Sequence, residues 1–303
     1  MDDVLARYEP LLDDYDAFRA ACERHLPHLV RVNTLKTTVD RAIDALREEG
    51  VGIEGWGWHD ALLELDTDTP GNTWPYYLGW LHGQEAVSAI PPHVLDPDPG
   101  DVVLDACAAP GSKTGQLAAA MDDRGRIVAN DANLGRLAPL RSNMERLGVT
   151  NVAVTNRDAR HLSLSEWDFE AFDAALVDAP CSGEGTVRKN PAALEDWSEG
   201  FLADVSTLQR NVLKRAIRLT KPGGTVVYST CTFAPEENEA VLDAVLGTED
   251  CRLREFDLPL ETEPGVTEWR GETYDASVRR ARRVWPHRAD TGGFFCAKLE
   301  VAG

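Results

Sequence analysis

From Asp101 to Thr230, short apolar stretches rich in β-branched residues alternate with longer stretches of helical apolar spacing. That alternation admits few folds. Strands are expected at 101–105, 126–131, 151–155, 172–178 and 223–230, with a last one at 293–299, and helices at 112–121, 133–147, 201–219 and 236–246. Parallel strands need a crossover between them, and helices supply it, so the pattern implies an α/β fold with a doubly wound, mostly parallel, Rossmann-like sheet. Ligands of such sheets sit beyond the carboxyl ends of the strands.

The first 83 residues read as a separate small α/β unit, followed by a second domain over 84–303. Helical spacing runs from Asp2 to Glu23 and again from Val39 to Glu49, while Leu29–Asn33, Val51–Trp58 and Ala61–Leu65 are strand-like. Thr69 to Pro75 is a turn region, and a short helix from about Glu85 to Ile90 is expected to run into Pro91 and Pro92.

At the carboxyl end of the first parallel strand lies Asp105-Ala106-Cys107-Ala108-Ala109-Pro110-Gly111-Ser112-Lys113-Thr114. Small residues let a ligand approach the backbone, and the following helix N-terminus offers free N–H donors. Asp131 ends the next strand, where a carboxylate accepts from ribose hydroxyls. Asp158, after the third strand, is placed either to meet an adenine edge or to cap a helix. The loop lacks GxGxxG, which favours a nucleoside cofactor without a pyrophosphate over a dinucleotide.

Two further segments each place a cysteine after an apolar strand, Asp178-Ala179-Pro180-Cys181-Ser182-Gly183 and Tyr228-Ser229-Thr230-Cys231-Thr232. The six cysteines are scattered without a CxxC pair, so neither a disulfide framework nor a metal site is expected. Free thiols belong in a reducing cytosol, and no apolar run approaches the length of a membrane span. A soluble, unexported, cytoplasmic protein is expected.

These segments, with Pro235-Glu236-Glu237-Asn238-Glu239, Arg31-Val32-Asn33-Thr34-Leu35-Lys36 and Gly292-Gly293-Phe294-Phe295, resemble the Sun-type RNA cytosine-C5 methyltransferases. The resemblance runs from about residue 28 to 299, with Ser112 standing where the family has a second glycine. It implies S-adenosylmethionine as cofactor, held by Cys107, Ala108, Ala109, Pro110, Gly111, Ser112, Lys113, Asp131, Arg136, Asp158 and Asp178. Cys107 itself reads as a packing residue of that loop rather than a chemical one. The resemblance further implies that Cys231 is the nucleophile and that Cys181 assists product release. Asp178 would bind the cytosine edge, and Lys113 would support it electrostatically and lower a thiol pKa. The residues 1–83 resemble the family's small RNA-binding region.

A net charge of −20, from 31 basic and 51 acidic residues, opposes a nucleic-acid partner, since phosphate binding works through Lys and Arg. Only six residues are Lys, and Asp outnumbers Glu by 28 to 23, a composition that fits adaptation to high salt, where repulsion is screened. The candidate RNA surface is Val278 to Arg288, with five arginines, no acids and Trp285 as a stacking residue, or else it is a salt-bridged surface segment. Arg188, Lys189 and Asn190 are candidates to touch the flanking RNA backbone; Trp56, Trp58 and Trp74 read as core. tRNA is the favoured substrate and rRNA the alternative, with no membrane, no obligate protein partner and a monomer expected. Two other classes stay open: a non-catalytic S-adenosylmethionine-binding RNA assembly factor, and a nicotinamide-dependent oxidoreductase. The salt reading predicts that the midpoint of thermal unfolding rises as salt increases; a midpoint unchanged or lowered by salt would refute it.

Overall fold

The structure, a computed structural model, describes residues 2–195 and 197–303, and only the backbone of Asp2, Asp3 and Trp56. The expectation for the Trp56 side chain therefore lies outside the described residues. By compactness the chain divides into residues 27–176 and residues 1–26 with 177–303.

Helices α1 (Asp2–Ala6) and α2 (Tyr15–Glu23) replace the single helix expected over 2–23. Pro10 lies in the 3-10 turn between them, and Asp14 caps α2 by accepting from the Ala17 N–H at 2.8 Å. In the 27–176 unit, β1 (Leu29–Val32), β2 (Ile53–Trp56), β3 (Leu62–Leu65) and β4 (Leu81–Gly83) form an antiparallel sheet in the order β2-β3-β1-β4. Helix α3 (Val39–Glu48) adds Ala42, Ile43 and Leu46 to its core, beside Val30, Val32, Leu63 and Leu81. A four-residue helix α4 (Trp74–Tyr77) leads into β4.

Helix α5 (Ile90–Leu95) begins where the expected helix should have ended. Pro91 and Pro92 fall in its first turn, where the missing N–H groups have no intrahelical partner to lose. Then come β5 (Val102–Asp105), α6 (Ser112–Ala120), β6 (Arg126–Asn130), α7 (Leu134–Leu147), β7 (Val152–Thr155) and β8 (Phe172–Asp178). β8, β5, β6 and β7 pair in parallel in that order, as the alternating pattern requires.

The polar residues of Arg31 to Lys36 hold this unit together. The buried Arg31 donates from Nε to Gln84 Oε1 at 2.8 Å, and Gln84 passes a bond to Gln116 on α6 at 2.6 Å. Asn33 donates to the carbonyls of Gly79 and Leu147, and Lys36 to those of Leu78 and Arg146. Two of these are last-turn carbonyls of α7, which have no intrahelical partner.

In the other unit, α8 (Glu199–Leu219) precedes β9 (Thr220–Thr230) and α9 (Glu239–Leu246). Five short strands follow: β10 (Cys251–Arg254), β11 (Glu263–Pro264), the ribbon β12 (Glu268–Trp269) and β13 (Glu272–Thr273), and β14 (Arg282–Val284). Helix α10 (Pro286–Ala289) leads to β15 (Phe294–Val301), which runs antiparallel to β9, β10 and β14. The strands at 251–254, 263–264 and 282–284 carry too many charges to show an apolar alternation.

Much of the segment 278–288 is structural, which corrects the reading of Trp285 as a stacking residue and of Arg283 as an RNA contact, while Arg279 and Arg280 are exposed. Trp285 is fully buried, stacked on Phe233 with ring centroids 5.2 Å apart, and donates from Nε1 to Glu263 at 2.9 Å. Arg283 is buried in a two-pronged pair with Glu239, at 2.7 and 2.5 Å, and also donates to the Phe233 carbonyl. Arg288 pairs with Asp13 and Glu261. Arg188 is likewise buried, donating to the carbonyls of Arg24, His25 and Thr291 and to Asp290, so it is not an RNA contact. Phe18, Tyr8, Phe233, Trp269 and Trp285 form the aromatic core of this unit. Replacing Arg283 by Met should lower the unfolding free energy by about 3–5 kcal/mol in urea titrations, because Glu239 is left buried without its counter-charge.

Candidate active site

Strand β5 has β6 on one side and β8 on the other, so the strand order reverses at its carboxyl end. The loop from Ala106 to Gly111 starts there. Gly111 caps α6 with φ +105°, and a Cβ at this position would stand 2.8 Å from Leu140. Only glycine meets both demands. The buried Asp131 accepts from the Ala109 N–H at 3.2 Å and the Asn133 N–H at 2.8 Å. Arg136 completes the clasp, donating to the Ala109 carbonyl and lying 3.4 Å from Asp131. Below the loop, Thr114 donates to Asp105 at 2.7 Å.

Ser112 is held by a buried histidine. Arg146 donates to His82 Nδ1 at 2.9 Å, so the ring proton sits on Nε2, which donates to Ser112 Oγ at 2.8 Å. Burial, with the charges of Arg31 and Arg146, depresses His82 to about 3, so the ring stays neutral at physiological pH. Lys113 bonds Ser88 Oγ at 3.1 Å, and Cys107 is partly buried. Asp158 caps the 3-10 turn Ala159–His161 and grips Arg160 with both carboxylate oxygens; the hydrogen bonds from Arg160 hold its pKa below the usual carboxylate range.

In the other unit the carboxyl ends of β8 and β9 come together. The Ala179 N–H donates to the Ser229 carbonyl at 2.9 Å, and Ser229 Oγ donates to Asp178 at 2.8 Å. Cys181 and Cys231, fifty residues apart in sequence, meet with their sulfurs 3.1 Å apart. The hydrogen bond that Cys181 makes to Cys231, and then burial, push the Cys181 thiol well above its ordinary value, with the Cys231 and Glu237 charges adding to the shift. Cys181 therefore keeps its proton and offers it toward the Cys231 sulfur.

Backbone contacts lock the two loops to a third. Gly185 donates to the Cys231 carbonyl at 2.9 Å and accepts from the Gly293 N–H at 2.8 Å. A Cβ on Gly185 would lie 2.2 Å from the Gly293 carbonyl oxygen, and one on Gly293 would meet the Phe233 ring at 2.0 Å. The residues after each cysteine bond one another, Ser182 Oγ to Thr232 Oγ1 at 2.9 Å. Each is also tied to a fully buried carboxyl, Ser182 to Glu237 and Thr232 to Glu184. Burial raises both carboxyls, Glu237 to about 6. Tyr8, from the chain's first turns, donates to Glu184 at 2.6 Å.

In the sequence Glu237, Ser182 and Thr232 stand out only as members of their motifs, with no role of their own, and neither Glu184 nor Tyr8 is assigned one. The available signal was three acids and an Asn set directly before the apolar run of α9. Trp74 corrects another expectation: it is 65% exposed, as is Tyr77 at 70%, with ring centroids 5.7 Å apart. Trp58 is partly buried, its indole donating to the Ala86 carbonyl. Among the described residues no cluster could hold a metal ion, and no helix is long and apolar enough to cross a membrane.

A small-residue loop at a strand-order reversal of a mostly parallel sheet defines a Rossmann-like fold, and solved structures agree. A methyltransferase homolog from Pyrococcus horikoshii superposes with TM-score 0.84 at 34% identity, covering 95% of this chain and 91% of that one. NSun6 from the same organism, solved with SFG, superposes at 0.85 and 22% identity, covering 100% and 98%, a likeness of fold. The family model described as 16S rRNA methyltransferase RsmB/F matches residues 92–300, so the chain belongs to that family of RNA cytosine-C5 methyltransferases. It is 41% identical over 300 residues to the tRNA (cytosine(49)-C(5))-methyltransferase of Pyrococcus abyssi, spanning 98% of this chain and 94% of that protein. It is 38% identical to the ribosomal RNA small subunit methyltransferase F of Aeromonas salmonicida, of whose length it spans 60%. Within the site, Ser112→Ala should cost about 1–3 kcal/mol in urea unfolding, since the His82 Nε2–H is then buried without an acceptor.

Proposed function

We propose that this chain is an S-adenosylmethionine-dependent RNA cytosine-C5 methyltransferase that acts on tRNA through a covalent bond between Cys231 and C6 of the target base. The meeting of two thiols 3.1 Å apart carries the reading. Cytosine C5 is too weak a nucleophile to be methylated directly, and a thiolate adding to C6 makes C5 enamine-like. S-adenosylmethionine, when bound, supplies a methyl group activated as a sulfonium.

The small-residue loop over Cys107–Ser112 suits such a cofactor, since short side chains leave the backbone open to a ligand, and Gly111 lets the loop pack against Leu140 and Met144 of α7. Asp131 would hold the ribose, Arg136 would keep the Ala109 peptide in place, and Asp158 would meet the adenine edge. Cys231 attacks C6, forming the S–C6 bond while the C5=C6 π pair moves to C5. After methylation water takes the C5 proton, the C5–H electron pair re-forms the C5=C6 bond and the C6–S pair leaves on the Cys231 thiolate, the stage assigned to Cys181. Asp178, oriented by Ser229, binds the cytosine edge and favours the N3-protonated ring, which draws electrons from C6. By resemblance to the family, Lys113 would support Asp178 and the ring electrostatically.

For RNA contact we assign the small sheet within residues 1–83, with Trp74 and Tyr77 as exposed rings on which unpaired bases stack. A target in a stem must be extruded first. tRNA is favoured because the match to the tRNA enzyme spans nearly all of both chains; the description of the family model favours rRNA as the second reading. A cytoplasmic enzyme, working as a monomer without a required protein partner, completes the reading.

Bisulfite sequencing of tRNA and rRNA incubated with the protein and S-adenosylmethionine tests it. Protected cytosines in tRNA support the primary reading, and protection confined to rRNA replaces it. Cys231→Ala should abolish methylation, while Cys181→Ala should trap a protein–RNA adduct that survives denaturing gels. Clean turnover by Cys181→Ala would remove its assigned role.

A further inference from the structure

Four short oxygen–oxygen contacts run in line behind the two thiols. Glu237 Oε1 meets Ser182 Oγ at 2.5 Å, Ser182 Oγ meets Thr232 Oγ1 at 2.9 Å, Thr232 Oγ1 meets Glu184 Oε2 at 2.8 Å, and Glu184 Oε2 meets Tyr8 Oη at 2.6 Å. Each contact needs one proton to be a hydrogen bond. The hydroxyls of Ser182, Thr232 and Tyr8 supply only three. Other neighbours add none: the Ala234 N–H and Arg7 donate into Thr232 and Tyr8 from outside the line. The fourth proton must come from a carboxyl.

The partners decide which one. Glu184 Oε2 receives both Thr232 and Tyr8, as a carboxylate does. On Glu237 the work is divided: Oε2 accepts from the Ser182 N–H at 3.0 Å and from Gln209 Nε2 at 2.8 Å, leaving Oε1 to donate. We propose that Glu237 carries the fourth proton on Oε1 and is a positioning residue for methyl transfer, holding the Cys181 and Cys231 loops at their working separation. With that proton in place, Ser182 donates to Thr232 and Thr232 to Glu184, and every contact is filled. Without it, Ser182 turns to Glu237 and Thr232 stays on Glu184. The two hydroxyl oxygens between the loops are then left facing each other with no proton.

The surroundings agree. Burial lifts Glu237 to about 6, and the charge of Glu184 adds to this. The titratable groups facing Glu237 are Cys181 and Glu184; Ser182 and Gln209 face it as donors, and Tyr228 donates to its backbone carbonyl at 2.6 Å. A carboxyl raised in this way is neutral below about pH 6 and loses the proton above it.

The kinetic test rests on the methyltransferase reading, and a second readout does not. Glu237→Gln places an N–H donor toward Ser182 Oγ and an oxygen toward the Ser182 N–H and Gln209, copying the neutral acid. Wild type should show a fall in kcat as pH rises through about 6, and Glu237→Gln should keep its kcat and lose that fall. Glu237→Ala should lower kcat about a hundredfold at every pH with KM for RNA unchanged, the scale expected from misplaced reacting groups. A Gln variant as slow as the Ala variant, or one that keeps the alkaline fall, overturns the proposal. On the free protein, between the ordinary glutamate value of about 4.3 and about 6, the infrared difference between wild type and Glu237→Gln should contain the carbonyl stretch of a neutral carboxyl. A difference holding only carboxylate bands overturns it even if no RNA is ever methylated.

Discussion

The bond between Ser182 and Thr232 sets how far apart the two thiols can be, because each hydroxyl belongs to the residue directly after a cysteine. Around it the run Glu236 to Glu239 works as a four-way clamp. Glu236 accepts from Arg7 and Trp269, Glu237 from the Cys181 loop, Asn238 bonds Thr230 and the Thr232 carbonyl, and Glu239 pairs with Arg283 and accepts from the Val266 N–H. Four consecutive residues thus tie the first turns, both cysteine loops and β14 to one point. In a buried site such a network is strong only when complete, and an unfilled member costs more than an apolar replacement would.

The small-residue loop before α6 is stiffened by other means. Asp131 accepts from the N–H and Arg136 donates to the carbonyl of one residue, Ala109, while His82, kept neutral by burial between Arg31 and Arg146, holds Ser112 at the start of α6. The serine that departs from the family's glycine is therefore a hydrogen-bonded part of the unit. Arginine does much of this work across the molecule. Arg146, Arg188 and Arg283 each reach several acceptors at once, which the planar guanidinium can do and an ammonium does with less order. Part of the excess of Arg over Lys is thus structural, independent of any adaptation to salt.

The parallel strands and their helices were legible because each carries its own periodic apolar signal, and β5 to β8 lie within a few residues of their expected positions. The strands around 251–284 were not legible. Their charges read as surface, yet Arg283 is neutralised by Glu239 inside the core, and Trp285 fills the aromatic cluster rather than facing RNA. The converse error fell on Trp74, whose apolar ring reads as core and stands exposed beside Tyr77. Composition ranks a residue by its own hydrophobicity, and the partner that buries or leaves it lies far along the chain.

The sequence by itself determined the α/β class, the small-residue loop before α6 and the two cysteine motifs, since each is a local pattern: a period, a glycine at a left-handed turn, a thiol at a strand end. Only the tertiary structure decided that the thiols lie 3.1 Å apart, that Tyr8 reaches Glu184, and that two buried carboxyls close a chain of hydroxyls behind them. Those contacts join residues separated by 48 to 176 positions. Their energies depend on desolvation and on the direction of each proton, neither of which exists until the chain has folded around them.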